Sequence, residues 1–157
     1  MQRVIKSEIE FYPESVTDPL VLSSSNKLIF CFLAVEKGAD GFLHDCGLAI
    51  FRTELCLLYK YGYPNDEAIP CHPLFSSNIG FDGYTISKVI SSNWILEIEA
   101  LNKTKWPNTN FIDRYDHWVF PFKETTLEVA AQNMVWELTS KPYQDVRIDM
   151  LDWLESN

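Results

Sequence analysis

The sequence predicts an α+β fold, a mainly antiparallel β-sheet with about two packed helices, in one domain spanning residues 1–157. Three observations carry this. Several short segments alternate apolar and polar residues with period two, the signature of half-buried strands. Two segments, 93–103 and 143–156, instead repeat their apolar residues at helical spacing. Clusters of Gly, Pro, Asn and Ser punctuate the chain, and no repeat, low-complexity tract or linker divides it. A length of 157 residues suits one domain and needs no disulfide or metal staple.

In Val4–Phe11, Ile5, Ile9 and Phe11 lie on one side of the alternation and Lys6, Glu8 and Glu10 on the other, which predicts a strand. Tyr12–Asn26, with Pro13, Pro19 and a Ser23–Asn26 polar cluster, reads as a loop. Lys27–Glu36 (KLIFCFLAVE) is almost wholly apolar and rich in β-formers, as a strand buried on both faces would be. After a turn at Lys37–Gly41, Gly47–Arg52 and Glu54–Tyr61 read as two strands, or one strand bent near Thr53. Gly62–Gly83 is a long segment with little periodicity. Its Ile69, Leu74, Phe75, Ile79 and Phe81 argue for a packed loop.

Tyr84–Ile90 alternates again. Ser91-Ser92-Asn93 offers helix-capping groups, and Trp94, Ile95, Ile98 and Leu101 follow on one helical face. That helix should stop near Thr104, before Pro107. Trp106–Arg114 is a polar loop, Asp116–Phe122 a strand with Pro121 at an edge or bulge, and Lys123–Thr126 a hairpin turn. Leu127–Ala131 continues as strand, whereas Ala130–Leu138 fits either period. The last helix places Val146, Met150, Leu151 and Leu154 on one side, with Pro142 at its first turn.

Composition limits the function classes. Twenty-two acidic against 13 basic residues give a net charge of −9, which opposes nucleic acid and anionic membranes and favours steering toward a basic protein surface. The opening MQRVIKSEIE has no hydrophobic signal region, and the longest apolar run, Leu28–Val35, is strand-sized, so a cytoplasmic location is expected. The four cysteines show no CxxC spacing. Ten Phe, seven Tyr and five Trp supply core area or binding anchors alike.

Four constellations are candidates for function. The first is Tyr63–Pro73 (YPNDEAIPCHP). There His72 with Asp66 or Glu67 makes an acid–base kit, held by Pro64, Pro70 and Pro73, while Pro64-Asn65-Asp66 alone reads as ordinary turn chemistry. The second is a convergence of His44, Cys46, Cys71, His72 and His117 on a metal. No ligand spacing demands it, and neither metal nor cofactor is expected. The third is a thiol nucleophile, for which Cys71 cannot use its neighbour His72, because adjacent extended side chains point apart. The fourth is an aromatic surface. Tyr59, Tyr61 and Tyr63 share one face and Trp118, Phe120 and Phe122 another, and one of the two faces must be core. Tyr59, Tyr61, Tyr63, Asn65 and Trp118 are the binding candidates.

With Tyr63–Glu67, His72-Pro73-Leu74 and Ser92–Ile95 in view, the chain resembles a group of small uncharacterised bacterial proteins. They carry a YPNDE…HPL segment, an S-x-W-I helix start and a His-led aromatic strand running into T-x-E, here His117 to Glu128. The resemblance covers roughly Gly47–Ala131. It implies that the loop, His117 and Glu128 belong to one recurrent architecture and brings no activity. Lys123-Glu124 at the turn departs from that pattern.

The leading expectation is an acidic, non-catalytic protein-binding module, such as an immunity-like inhibitor or regulatory partner. The alternative is a small hydrolase-like enzyme using His72 with Asp66 or Glu67, and His117 with Glu128 as second candidates. A homodimer built on the aromatic ladder is the third.

Overall fold

Strand alternation and one sheet-switching corner generate the architecture. The computed structural model describes residues 1–74 and 84–156. Its elements are β1 (Arg3–Lys6), β2 (Tyr12–Pro13), β3 (Leu20–Ser24), β4 (Lys27–Lys37), β5 (Leu43–Thr53), β6 (Leu55–Gly62), a 3-10 turn (Ile69–Cys71), β7 (Ser87–Ile90), α1 (Asn93–Lys103), β8 (Asp116–Pro121), β9 (Thr126–Gln132), β10 (Val135–Thr139) and α2 (Tyr143–Glu155). The α+β expectation with two helices holds, but the strands form two sheets. One runs β1-β7-β8-β9-β6; the other runs β10-β5-β4-β2, with β3 also paired to β4. The pairings are antiparallel throughout the described residues.

The strand β4 shows why its sequence is almost all apolar. Leu28, Phe30, Phe32 and Ala34 point into the space between the sheets, while Ile29 and Cys31 point outward and are covered by Val146 and Met150 of α2. Between the sheets lies an aromatic core. Phe30 stacks on Phe51 at 5.1 Å, and Phe120 meets both rings edge-on at 4.8 and 4.9 Å. Trp118 and Phe122 join this cluster, so the Trp118 ladder is the core face. Trp118 is 4% exposed, which removes it from the binding candidates.

At Thr53–Leu55 the chain leaves one sheet for the other. Thr53 Oγ1 donates to the Gln132 carbonyl at 2.6 Å and accepts from Leu55 N at 3.0 Å, bracing the corner. Gly47 sits at φ +93°, where a Cβ would strike the Thr139 carbonyl oxygen at 2.5 Å, so glycine is required there.

Three expectations change. Tyr12–Asn26 is not all loop, because Leu20–Ser24 pairs along β4 and Tyr12–Pro13 pairs farther along it. Pro13 is tolerated since β2 is a two-residue edge strand. Ala130–Leu138 resolves into strand, turn and strand, with Asn133 at φ 50° reversing the chain. On the first strand, Ile5 is exposed while Ile9 and Phe11 are core, because β1 ends at Lys6. Of the packed-loop residues, Ile69 and Leu74 are buried, and Phe75, Ile79 and Phe81 lie outside the described residues. Among the described residues no helix is long and apolar enough to cross a membrane.

Candidate active site

The outer face of the β1-β7-β8-β9-β6 sheet carries polar groups that alternation forces away from the aromatic core. On β9, Leu127, Val129 and Ala131 face inward, so Glu128 faces out. On β8, Trp118 and Phe120 face inward, so His117 and Val119 face out. Glu128 stands opposite Val119 on β8 and opposite Lys60 on β6. His117 stands opposite Ala130, which makes it the diagonal neighbour of Glu128 on the same face.

Two covers bury this polar patch. One is the start of α1. Ser92 is its N-cap, and the Ser92 hydroxyl accepts from Ile95 N at 3.2 Å. The other is the 63–74 segment. Thr126 Oγ1 donates to the Pro64 carbonyl at 2.8 Å, and Asp66 N donates to the Lys123 carbonyl at 3.1 Å. Asn65 Oδ1 accepts from Ala68 N at 3.1 Å, so Asn65 serves the turn. The 3-10 turn then buries Ile69 and delivers His72, whose backbone N–H donates to the Ile69 carbonyl at 2.9 Å.

The result is a pair of imidazoles on one carboxylate. His72 Nε2 lies 3.1 Å from Glu128 Oε1, and His117 Nε2 lies 2.9 Å from Glu128 Oε2. His72, His117 and Glu128 are 8%, 2% and 7% exposed. The second nitrogen fixes the His72 tautomer. Leu74 N–H donates to His72 Nδ1 at 3.1 Å, so the neutral His72 ring carries its proton on Nε2 and donates it to Glu128. His117 Nδ1 meets the Ser92 hydroxyl at 2.8 Å. That hydroxyl can donate to a neutral ring or, by rotating, accept from an imidazolium.

Burial pushes the Glu128 carboxyl up. The hydrogen bonds from His117 and His72, with the Lys60 charge nearby, more than offset it and hold the group well below the usual carboxylate range. Lys60 Nζ is 3.7 Å from Glu128 Oε1 and 4.0 Å from the centre of the Trp94 ring. Trp94 in turn meets His117 edge-on at 5.0 Å. A pocket of about 510 Å³ opens over the group, walled by Lys60, Leu74, Asn93, Trp94 and Glu97, with His72, His117 and Glu128 on its lining.

The expected pairing of His72 with Asp66 or Glu67 is corrected. Asp66 accepts from the Tyr84 hydroxyl at 2.5 Å and from Lys123 Nζ at 2.9 Å, two bonds that hold its carboxyl below the ordinary range. Glu67 is exposed. The carboxylate that His72 meets comes instead from β9. His44 is bonded to Asp40 in the β4–β5 hairpin, and Cys46 packs against the core between the sheets, so these two stand apart from His72 and His117. Among the described residues, no three His, Cys, Asp or Glu side chains are grouped to hold a metal ion. Tyr59, Tyr61 and Tyr63 are exposed, and the Tyr59 hydroxyl bonds Ser23 Oγ at 2.9 Å across the sheets.

The purely non-catalytic reading is also corrected. It rested on the net charge, the aromatic content and the lack of a recognised catalytic motif, whereas two buried imidazoles sharing one carboxylate beneath a pocket are an acid–base arrangement. Sequence reasoning missed Ser92 as the partner of His117, and it missed Lys60 and Trp94. The Ser92-Asn93-Trp94 cap was visible, but its contact with a strand residue 25 positions away was not. Set against protein-family models, curated proteins and solved structures, the chain has no match.

Proposed function

We propose that the chain is a small hydrolase-like enzyme whose His72–Glu128–His117 group moves protons for the reaction. One observation carries the reading: both imidazoles donate to the same buried carboxylate on the lining of a pocket. With both rings neutral the buried group carries one negative charge, countered from 3.7 Å by the half-exposed Lys60 ammonium. Taking up one proton makes the carboxylate–imidazole group neutral overall. The shared carboxylate can therefore hold an imidazolium formed during the reaction, as an orienting carboxylate does beside a general base.

The two rings differ in how they can take the proton. At His117 the Ser92 hydroxyl rotates from donor to acceptor, and no hydrogen bond is lost. At His72 a proton on Nδ1 must displace the Leu74 N–H. His72 therefore exchanges its proton when the 72–74 backbone shifts, as it would on contact with a substrate. His117 holds the charge in place. The chemistry that follows is removal of a proton from water, its attack on an electrophilic centre, and return of the proton to the leaving group.

The test is turnover of a panel of chromogenic carboxylic esters, amides and phosphoesters by the native chain, Glu128→Gln and His72→Gln. General acid–base groups contribute about 10²–10⁴-fold, so each variant should lose activity on that scale while staying folded by circular dichroism. No turnover across the panel, or equal turnover in Glu128→Gln, would sink the proposal.

A further inference from the structure

Resting on this acid–base reading, we infer that the pocket over Glu128 seats an alkylammonium group of the substrate, and that the Lys60 ammonium fills this seat when substrate is absent. Lys60 Nζ lies 4.0 Å from the centre of the Trp94 ring and 3.7 Å from Glu128 Oε1. A cation held between an aromatic face and a carboxylate is the usual recognition chemistry of an amine. Lys60 stands directly opposite Glu128 on the edge strand β6, and its side chain is 52% exposed. The ammonium is therefore a tethered occupant on a flexible stem, able to swing into solvent.

The charges around the seat favour a cation. The titratable groups lining the pocket are Lys60, His72, His117, Glu97 and Glu128. Once Lys60 leaves, two carboxylates face the space. An anionic substrate would meet both, whereas an amine replaces the lost ion pair. Glu97 lies one helical turn beyond Trp94, on the same side of α1. The net charge of −9 steers cations toward the protein in the same sense. The seat directly borders His72 and His117, so a substrate anchored by its ammonium presents its neighbouring atoms to the proton-handling group. A free amine and a lysine side chain share this chemistry.

Calorimetry on the full chain tests the seat. The probes are n-butylammonium for a free amine, Nα-acetyl-lysine methylamide for a lysine side chain, and n-butanol as the neutral control. Lys60→Met keeps the stem and removes the tethered competitor, whose effective concentration is on the order of millimolar. It should bind an amine probe about tenfold or more tightly than the native chain, with no binding of n-butanol. The better amine names the source. Trp94→Leu added to Lys60→Met should abolish the gain. Amine binding no tighter in Lys60→Met, or n-butanol binding as well as n-butylammonium, would overturn the inference. Should Lys60→Met not fold, the native chain still decides. The Trp94 indole resonance must move on titration with n-butylammonium and stay still with n-butanol. Binding is read without turnover, so loss of the seat leaves the acid–base reading standing, and loss of turnover leaves the seat testable.

Discussion

Glu128 is the carboxylate shared by both histidines of the candidate site. It takes a hydrogen bond from each of two buried imidazoles, and replacing it with Ala would orphan both donors. The expected cost is roughly 2–6 kcal/mol by urea unfolding, since each buried unmet donor costs about 1–3 kcal/mol. The pH dependence follows from its depressed titration. An unfolded glutamate titrates near ~4.3, whereas the folded group stays ionised to lower pH. The unfolded chain binds that proton first. Stability from Glu128 is therefore full above pH ~4.3 and is lost as pH falls toward the folded value. Glu128→Gln should flatten the fall in melting temperature between pH 5 and 3, an interval set about this titration. An acid limb as steep as that of the native chain would count against this account.

At the scale of elements, α1 is tied at its start to the face that carries the site and farther along to the loop before β8. Ser92 caps its first turn and holds His117. Ser92→Ala should cost about 1–2 kcal/mol, as loss of a cap does. It should also move the His117 Nδ1 resonance in ¹⁵N spectra of the imidazole, because that nitrogen loses its hydrogen-bond partner, whereas a cap with no second role would leave that spectrum unchanged. Near the other end, Glu99 accepts from Phe111 N at 2.6 Å, from Ile112 N at 3.0 Å, and from Lys103. The Lys103 bond and the Ile112 and Phe111 amides outweigh the effect of burial and pull the Glu99 carboxyl down to about 2. In Glu99→Ala the Phe111 and Ile112 amides should exchange with deuterium about tenfold faster or more, a local opening measurable by mass spectrometry. The 63–74 segment is pinned in a similar way, by Asp66 to Tyr84 and Lys123. A loop held that firmly can position a histidine.

For the whole molecule, the aromatic core between the sheets is what keeps the outer face in register. Phe51 is fully buried and touches Phe30, Phe32 and Phe120. Phe51→Ala should destabilise by about 3–5 kcal/mol in equilibrium unfolding. Because β8 and β9 share that core, their outward residues are held at fixed spacing. A one-residue slip of β9 against β8 would turn Glu128 inward and Val129 outward, losing the site and the core together. Stability and site geometry therefore depend on the same alternation.

Local pattern was enough to read the α+β class, the start and end of α1, the doubly buried β4 and the amphipathic α2, since each rests on contacts within a few residues or on a strong period. His72, His117 and Glu128 were each legible as candidates, because few side chain types can do acid–base work. His117 and Glu128 were paired as second candidates, but the meeting of His72 with that same carboxylate was not legible. His72 and Glu128 are 56 positions apart, and a sequence offers Asp66 and Glu67 as nearer partners. Only the tertiary structure spent Asp66 on Tyr84 and Lys123 and brought β9 beneath the loop. The division into two sheets was likewise hidden, because Thr53–Leu55 reads as a bend whichever sheet the chain enters next. Residue types were determined by the sequence alone. Which carboxylate met which imidazole was decided by strand register and by how the covering loop packs, and both are settled only when the long-range pairs form.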